Sequence, residues 1–188
     1  MQSHSFSMRN ETPRRPHPLP QLGLRGCADR QAPLSSDSLS DSFHNLIGRY
    51  RVRGQYAEME PLCQLALEIQ EQTLGPAHFE VALTLNDLAE VYHRQGKYAK
   101  AERLYQRALV ILKTTLGNEH PRVSTTLGNL AKLYADQGHY AQAEQFYLRS
   151  LAIQKKTRGP DHPEVALHLK HMAELYHRWS LAALQTAG

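Results

Sequence analysis

The feature that most constrains the fold is a 42-residue period that starts at residue 39. Three blocks, 39–80, 81–122 and 123–164, align without a gap, and a fourth begins at residue 165 and stops short. The second and third blocks are identical at 21 of 42 positions. Self-similarity at such a period is typical of repeat architectures, in which each unit packs only on its neighbours. The chain is therefore predicted to fold as a stack of repeats.

Within each block the apolar residues have the spacing of two helices. In the second block the first stripe recurs at i, i+3, i+4 and i+7, as one face of a helix requires, and consists of Leu85, Leu88, Ala89 and Tyr92. A second stripe follows Gly96 and consists of Tyr98, Ala101, Tyr105, Ala108 and Leu109. The small alanines let two helices approach closely, so each block predicts an antiparallel helix pair.

Glycine and proline recur where the chain must turn. Glycines between the paired helices, where a positive φ is needed, are Gly54, Gly96 and Gly138. Glycines after the second helix of each pair are Gly75, Gly117 and Gly159. Pro121 and Pro163 stand at the start of the following helices, where a missing N–H costs least. Residues 1–38, with five prolines, six serines and no periodicity, predict a disordered tail.

Charge and composition exclude several classes of function. The formal net charge of +4 is spread thinly, and no block of lysine or arginine could neutralise a phosphate backbone, so nucleic-acid binding is not expected. No run approaches the roughly 18 apolar residues needed to cross a bilayer, so no membrane role is expected. A secretory signal is not expected either. Cys27 and Cys63 are too few and too scattered for a disulfide framework, which favours a reducing, cytoplasmic location.

The repeated residues resemble the tetratricopeptide repeat. The spacing Leu-x-x-Leu-Ala-x-x-Tyr, then Gly-x-Tyr-x-x-Ala-Glu, is similar to that repeat, and the 42-residue period with the connector LGxxHP resembles the kinesin light chain subclass. The resemblance implies an all-α solenoid, a right-handed superhelix of antiparallel helix pairs, that binds other proteins. It covers about 39–179. Kinesin light chains precede these repeats with a heptad coiled coil, whereas the segment before them here is Pro-rich and lacks heptads.

The resemblance also implies where a partner would bind. In similar arrays the first helix of each pair lines a concave groove, and its residues outside the core stripe contact a peptide or helix of the partner. The partner-binding residues predicted in this way are Asn45, Arg51, Asn86, Asp87, Glu90, Arg94, Asn129, Lys132, Lys170, His171 and Arg178. An asparagine there can donate to and accept from an extended peptide backbone, or it can simply cap or solvate a helix. The charges are mixed, which admits an acidic or mixed peptide contacting Arg94, Lys132 and Lys170.

Nothing in the sequence predicts catalysis, a metal or a cofactor. Cys63 aligns with the packing positions Tyr105 and Tyr147, which indicates a core residue rather than a nucleophile. The glycines form no phosphate-binding loop. The periodic histidines resemble residues that start helices rather than metal ligands, and they are His78, His120 and His162. His168 and His171 are spaced for weak chelation, but a solvated helix face is the plainer interpretation.

The end of the array departs from the pattern. In the partial fourth repeat, 165–188, Ser180 replaces the turn glycine and Ala182 replaces the turn tyrosine. Residues 180–188 therefore predict a short cap, or the chain is a fragment of a longer array. Trp179 covers the open end of the solenoid or marks a partner site. Self-association through this end is the alternative to a peptide-binding adaptor.

Overall fold

Seven α-helices make up the part of the chain that the computed structural model describes, residues 36–186, with side chains described for 39–185. The helices are α1 (Ser36–Val52), α2 (Tyr56–Thr73), α3 (Phe79–Arg94), α4 (Tyr98–Leu116), α5 (Pro121–Asp136), α6 (Tyr140–Arg158) and α7 (Pro163–Thr186). The predicted disordered tail, 1–38, lies outside the described residues except for its last three, which open α1. The all-α solenoid predicted from the repeats is confirmed within 36–186.

Helices pack in the order in which they occur along the chain. The closest packing is within the pairs α3 with α4 and α5 with α6, and each second helix also packs on the first helix of the next pair. The first helices α1, α3, α5 and α7 touch one another in series with lighter contacts. Each predicted block therefore contributes one pair, and the first helices lie side by side along one face.

The turns within the pairs share one geometry. Gly96 has φ +73°, its N–H donates to His93 O over 3.0 Å, and the N–H of Lys97 donates to Tyr92 O over 2.8 Å. These two bonds define a Schellman motif, which needs a left-handed residue at its corner. An added Cβ at Gly96 would meet nothing within 4 Å, so the backbone angle rather than crowding calls for glycine.

The periodic histidines start helices, as predicted. Nδ1 of His78, His120 and His162 accepts from the backbone N–H two residues further on, over 3.3, 3.1 and 3.2 Å. Each imidazole thereby satisfies one of the N–H groups that a helix leaves without a partner at its beginning.

A continuous apolar core runs between the helix pairs. The first predicted stripe is buried throughout, with Leu85 and Ala89 at 0% exposure, and the second stripe is buried apart from its half-buried first residue, Tyr98. Cys63 is fully buried, and burial raises the pKa of its thiol to about 12. Its assignment to the core is therefore confirmed.

The last helix is longer than its counterparts because it does not turn. α7 runs for 24 residues through Ser180, whose Oγ donates to His177 O over 2.8 Å. Without a glycine at this position the helix continues to Thr186, so the residues predicted as a short cap extend α7 instead. Within residues 36–186 even this helix is not long and apolar enough to cross a bilayer.

Candidate functional site

The first helices form a continuous polar surface, called here the first-helix face. α1, α3, α5 and α7 contact one another in turn, and their residues outside the core stripe point away from the second helices. Side chains separated by about 40 positions in the sequence thereby become neighbours, as in Asn86 with Thr126 and Arg178 with Asp136. Most of the predicted partner-binding residues lie on this face.

The first-helix face has a cavity of about 440 Å³ between α1, α3 and α5, called here the acidic pocket. Five predicted residues meet in it, and its lining consists of Asp41, His44, Arg51, Phe79, Glu80, Leu83, Asn86, Asp87, Glu90, Arg122, Thr125 and Asn129. Four carboxylates face two guanidinium groups, so the lining has a formal charge of −2 with His44 neutral. The sequence predicts a mixed charge along the whole face, and the net charge of this pocket is negative.

One arginine contacts two of these four carboxylates. Arg51 on α1 donates to Asp87 on α3, and its Nε lies 3.0 Å from Oε2 of Glu90. Burial raises the pKa of Asp87 above its ordinary value, and the charge of Arg51 opposes that shift. Because Arg51 on α1 contacts residues of α3, it joins the first two repeats as well as lining the pocket.

A second polar chain joins the same repeats. His44 Nδ1 lies 3.1 Å from Glu80 Oε2, and its Nε2 lies 3.3 Å from Thr84 Oγ1. The Thr84 hydroxyl donates to Gln70 Oε1 over 2.7 Å, and Gln70 Nε2 reaches Ser40 Oγ at 3.3 Å. Glu80 is thereby held at the edge of the acidic pocket by partners inside the protein.

Asn86 lines the pocket and has a buried amide oxygen without a hydrogen-bond partner in the described part of the chain. Its Nδ2 donates to Thr126 Oγ1 over 3.0 Å, and the Thr126 hydroxyl donates its own proton to Arg122 O over 3.1 Å. That proton is committed, so the hydroxyl oxygen must accept, which turns the amide nitrogen of Asn86 toward it. Oδ1 of Asn86 is buried and has no hydrogen-bond partner in the described part of the chain. The Asn86 side chain therefore neither caps a helix nor simply faces solvent.

A smaller cavity of about 110 Å³ lies further along the face, between α5, α6 and α7, and is called here the C-terminal pocket. Three predicted residues meet in it, and its lining consists of Lys132, Ala135, Asp136, Tyr147, His171, Glu174, Leu175 and Arg178. Its two cationic and two anionic side chains cancel with His171 neutral. Burial, aided by the charge of Lys132, lowers the pKa of His171.

Asp136 ties three first helices together at the C-terminal pocket. His93 Nε2 on α3 lies 2.8 Å from Asp136 Oδ2, and Arg178 Nη1 on α7 donates to Oδ1 over 2.8 Å. Arg178 Nη2 also donates to Ala135 O over 2.9 Å. The bond to His93 and then the bond to Arg178 lower the pKa of Asp136 to about 2. Arg178, predicted as a ligand contact, is thus already engaged within the protein.

The remaining predicted residues lie apart from both pockets. Asn45 faces a shallow depression beside Val52 at the start of the array. The Arg94 guanidinium lies over the Tyr56 ring, 5.3 Å from its centre, and Lys170 Nζ lies 3.8 Å from Glu174 Oε1. The eleven predicted residues therefore fall into separate groups along the face.

Three lining residues of the acidic pocket lie at helix starts, which the sequence prediction did not consider. Phe79, Glu80 and Arg122 lie in the first turns of α3 and α5, next to the capping histidines, whereas the prediction considered only positions deeper in each first helix. A signal was present, because residues 80, 122 and 164 occupy one repeat position and change charge from Glu to Arg to Glu. Variation at one position of an otherwise regular connector indicates a surface that differs between repeats.

A serine and a histidine lie close together in the interior, but their setting is structural. Ser150 Oγ lies 2.7 Å from His168 Nε2, while His168 Nδ1 lies 2.8 Å from Glu164 O. Ser150 and Ser124 are fully buried and bond reciprocally to each other's carbonyl oxygens over 2.8 Å, which leaves no access for a substrate. Among residues 36–186 no group of three or more potential ligands is placed to hold a metal ion.

Stacked helix pairs with a polar face of first helices define a helical-repeat protein of the kind that binds other proteins. The chain belongs to the tetratricopeptide repeat family, whose model matches residues 39–114, 80–156 and 122–183. Within that family its repeats are of the kinesin light chain-like subclass. Repeats of this family generally mediate contacts between proteins and typically form scaffolds without enzymatic activity.

Solved structures of similar fold support this assignment. A putative kinesin light chain of Podosopora anserina with nearly identical TPR-like repeats is 29% identical, with a TM-score of 0.66 over 73% of this chain and 65% of that one. BtubC (BKLC) from P. vanneervenii is 24% identical, with a TM-score of 0.68 over 76% of this chain and 57% of that one. This chain thus spans about three-fifths of the solved relatives. No curated protein matches it.

Proposed function

We propose that this protein is a non-enzymatic adaptor that binds an extended segment of a partner protein along the first-helix face, with the acidic pocket as its anchor. The observation that carries the proposal is the buried, unpartnered Oδ1 of Asn86 in the lining of that pocket. The 42-residue units and the tail, 1–38, are its proposed domains, and a reducing cytoplasm is its proposed location.

The unpartnered oxygen of Asn86 favours a ligand with hydrogen-bond donors. A buried acceptor without a partner costs about 1–3 kcal/mol, so a bound donor would recover much of that free energy. Every residue of an extended peptide except proline offers a backbone N–H, which makes such a peptide the simplest occupant. Asn129 lines the same cavity from α5 and can contact the next peptide unit.

The charge of the pocket favours a basic side chain in the ligand. Arg51 already contacts Asp87 and Glu90, whereas Asp41 makes no ion pair in the described part of the chain. A lysine or arginine of the partner would reduce the negative charge at the rim that Asp41 and Glu80 form. Arg94 and Lys170, where an acidic peptide was expected to bind, each lie beside a glutamate, so a basic or mixed segment is the better match.

Selection from a displayed library of random peptides, with the full chain as bait, tests the proposal. We expect enrichment of basic segments and a roughly 5- to 100-fold loss of affinity in Asn86→Ala, since one buried hydrogen bond is removed. Asn118→Ala, at an exposed connector position, is the matched control and should bind as the wild type does. Circular dichroism confirms that both variants are folded. Ligands that bind Asn86→Ala and the wild type equally would refute the assignment of the pocket.

A further inference from the structure

One face of α7 exposes residue types that are buried at the equivalent positions of the other repeats. Leu169 is 48% exposed, whereas Leu127 and Leu85, one and two repeats earlier, are 1% and 0% exposed. Tyr176 is 44% exposed, whereas its counterparts in α3 and α5 are each 9% exposed. The sequence has core residue types here, and residues 36–186 leave them about half exposed.

Within residues 36–186 no second helix packs on this face. In the second and third pairs α4 and α6 cover these positions, each entering through a glycine turn. α7 instead continues through Ser180, so its last residues extend the open face and cannot fold back over it. The extension adds Leu184, which is 72% exposed. An apolar stripe of this length calls for a covering helix.

The stripe has the spacing of a two-helix seam. Its residues are separated by three, four, three and four positions and alternate small with large, in the order Ala166, Leu169, Ala173, Tyr176 and Ser180. A repeat of seven with apolar positions spaced in this way keeps one face turned toward a partner helix. Lys170 and His177 border the stripe on one side, which gives the seam a polar rim.

The helices that cover such faces in this protein have a complementary order. The seam of α4 has the same spacing with large and small exchanged, and consists of Tyr98, Ala101, Tyr105, Ala108 and Leu112. A covering helix must place a large side chain opposite each small one of α7, and a small one opposite each large one. A second α7 that runs antiparallel can do so, because its small and large residues alternate. With the dyad between residues 174 and 175, Ala173 faces the second copy's Tyr176, and Leu169 faces its Ser180. Each of these layers then holds one large and one small side chain.

The other end of the array does not fit this face. At the position where α3, α5 and α7 bury Val91, Leu133 and Leu175, α1 has the exposed residue Arg49. Docking the beginning of one array on the end of another would bury that guanidinium without a partner, which is costly. Head-to-tail stacking of copies is therefore disfavoured, whereas a two-fold contact between like helices closes on itself.

From these observations we infer that the open face of α7 is a dimerisation surface, on which α7 of a second copy packs antiparallel along the stripe from Ala166 to Ser180. The stripe spans 15 residues, or about 21 Å of helix between its first and last Cα atoms. The acidic pocket lies between α1, α3 and α5, so each copy keeps it open. This inference is independent of peptide binding, since it uses a different surface.

Sedimentation equilibrium of the full chain between about 1 and 300 µM tests the dimer. We expect the mean mass to rise from the 21.3 kDa monomer toward twice that value. Leu169→Lys should raise the dimer dissociation constant at least about tenfold, because two lysines would enter the seam. Leu167 is also 48% exposed but lies on the other side of α7, so Leu167→Lys should dimerise as the wild type does. A wild type that stays monomeric throughout, or equal loss in both variants, overturns the inference.

Disulfide trapping tests the antiparallel direction. Cys63 is buried, so in a Cys27→Ser background an added cysteine supplies the accessible thiol. Two copies of Ala173→Cys lie near the dyad, offset by about 5 Å along the helix, and should cross-link on oxidation. Two copies of Ala166→Cys are about 25 Å apart in this arrangement and should not cross-link. Efficient cross-linking at 166 with none at 173 would overturn the antiparallel pairing.

Discussion

Replacing Asp136 by asparagine tests whether the bridge among α3, α5 and α7 stabilises the array. His93 and Arg178 hold the pKa of Asp136 at about 2, against an ordinary value of 3.8. That difference corresponds to roughly 2 kcal/mol of stability at neutral pH. The side chain is 32% exposed, so solvent screening reduces the expected contribution to about 1 kcal/mol.

The pH dependence follows from the direction of the shift. The folded carboxyl has the lower pKa, so its contribution is complete above the unfolded value near 4 and is lost as the pH falls toward 2. About half of it should therefore remain near pH 3. Asp136→Asn removes this dependence along with the bridge, so its stability should differ from that of the wild type most at neutral pH.

Urea unfolding followed by circular dichroism at pH 7, 4 and 3 measures the difference directly. Asp161→Asn is the matched control, because Asp161 is exposed and makes no ion pair within residues 36–186. We expect Asp136→Asn to be less stable than this control by about 1 kcal/mol at pH 7 and by about half as much at pH 3. Equal stability at pH 7, or a difference unchanged at pH 3, would refute the reasoning.

Three further predictions concern glycines and a capping histidine. Gly96→Ala should destabilise the protein by about 1 kcal/mol in thermal melts because of the positive φ at this residue, whereas Gly48→Ala, inside α1 with open space around it, should stabilise it by about 0.5–1 kcal/mol. His120→Ala should cost about 1 kcal/mol and His120→Asn much less, because asparagine can also accept from the first turn of α5. Gly128→Ala should cost about 1–3 kcal/mol, because its Cβ would lie 3.0 Å from His168 Nε2. Gly128→Ala should destabilise the protein less in a His168→Ala background. An equal loss of stability in both backgrounds would mean that the helix backbone, and not the contact with His168, causes it.

The elements of the fold could be predicted because their signals are local. Gly96 with its flanking tyrosines, and His120 followed by proline, act within one or two turns of a helix and recur every 42 residues. Such features depend little on how the repeats stack. The helix pairs and their core stripes were therefore readable from the sequence.

The contacts of the face could not be predicted in the same way. Asn86 bonds Thr126 and Arg178 bonds Asp136, each across 40 or more positions, and these pairings depend on how far each repeat is displaced against the next. The separation of the charged residues into a negatively charged acidic pocket and a C-terminal pocket without net charge also depends on how the repeats stack. The straight course of α7 was not predicted, although Ser180 in place of the turn glycine is its signal in the sequence.

The arrangement of contacts has a mechanical consequence. Within a pair the helices are packed closely, whereas neighbouring first helices touch lightly and are joined by polar bonds such as Arg51 to Asp87 and His93 to Asp136. A pulling force on the two ends would therefore open the rows between first helices before any helix unwinds. The array should behave as a short spring, and a segment bound across those rows would stiffen it.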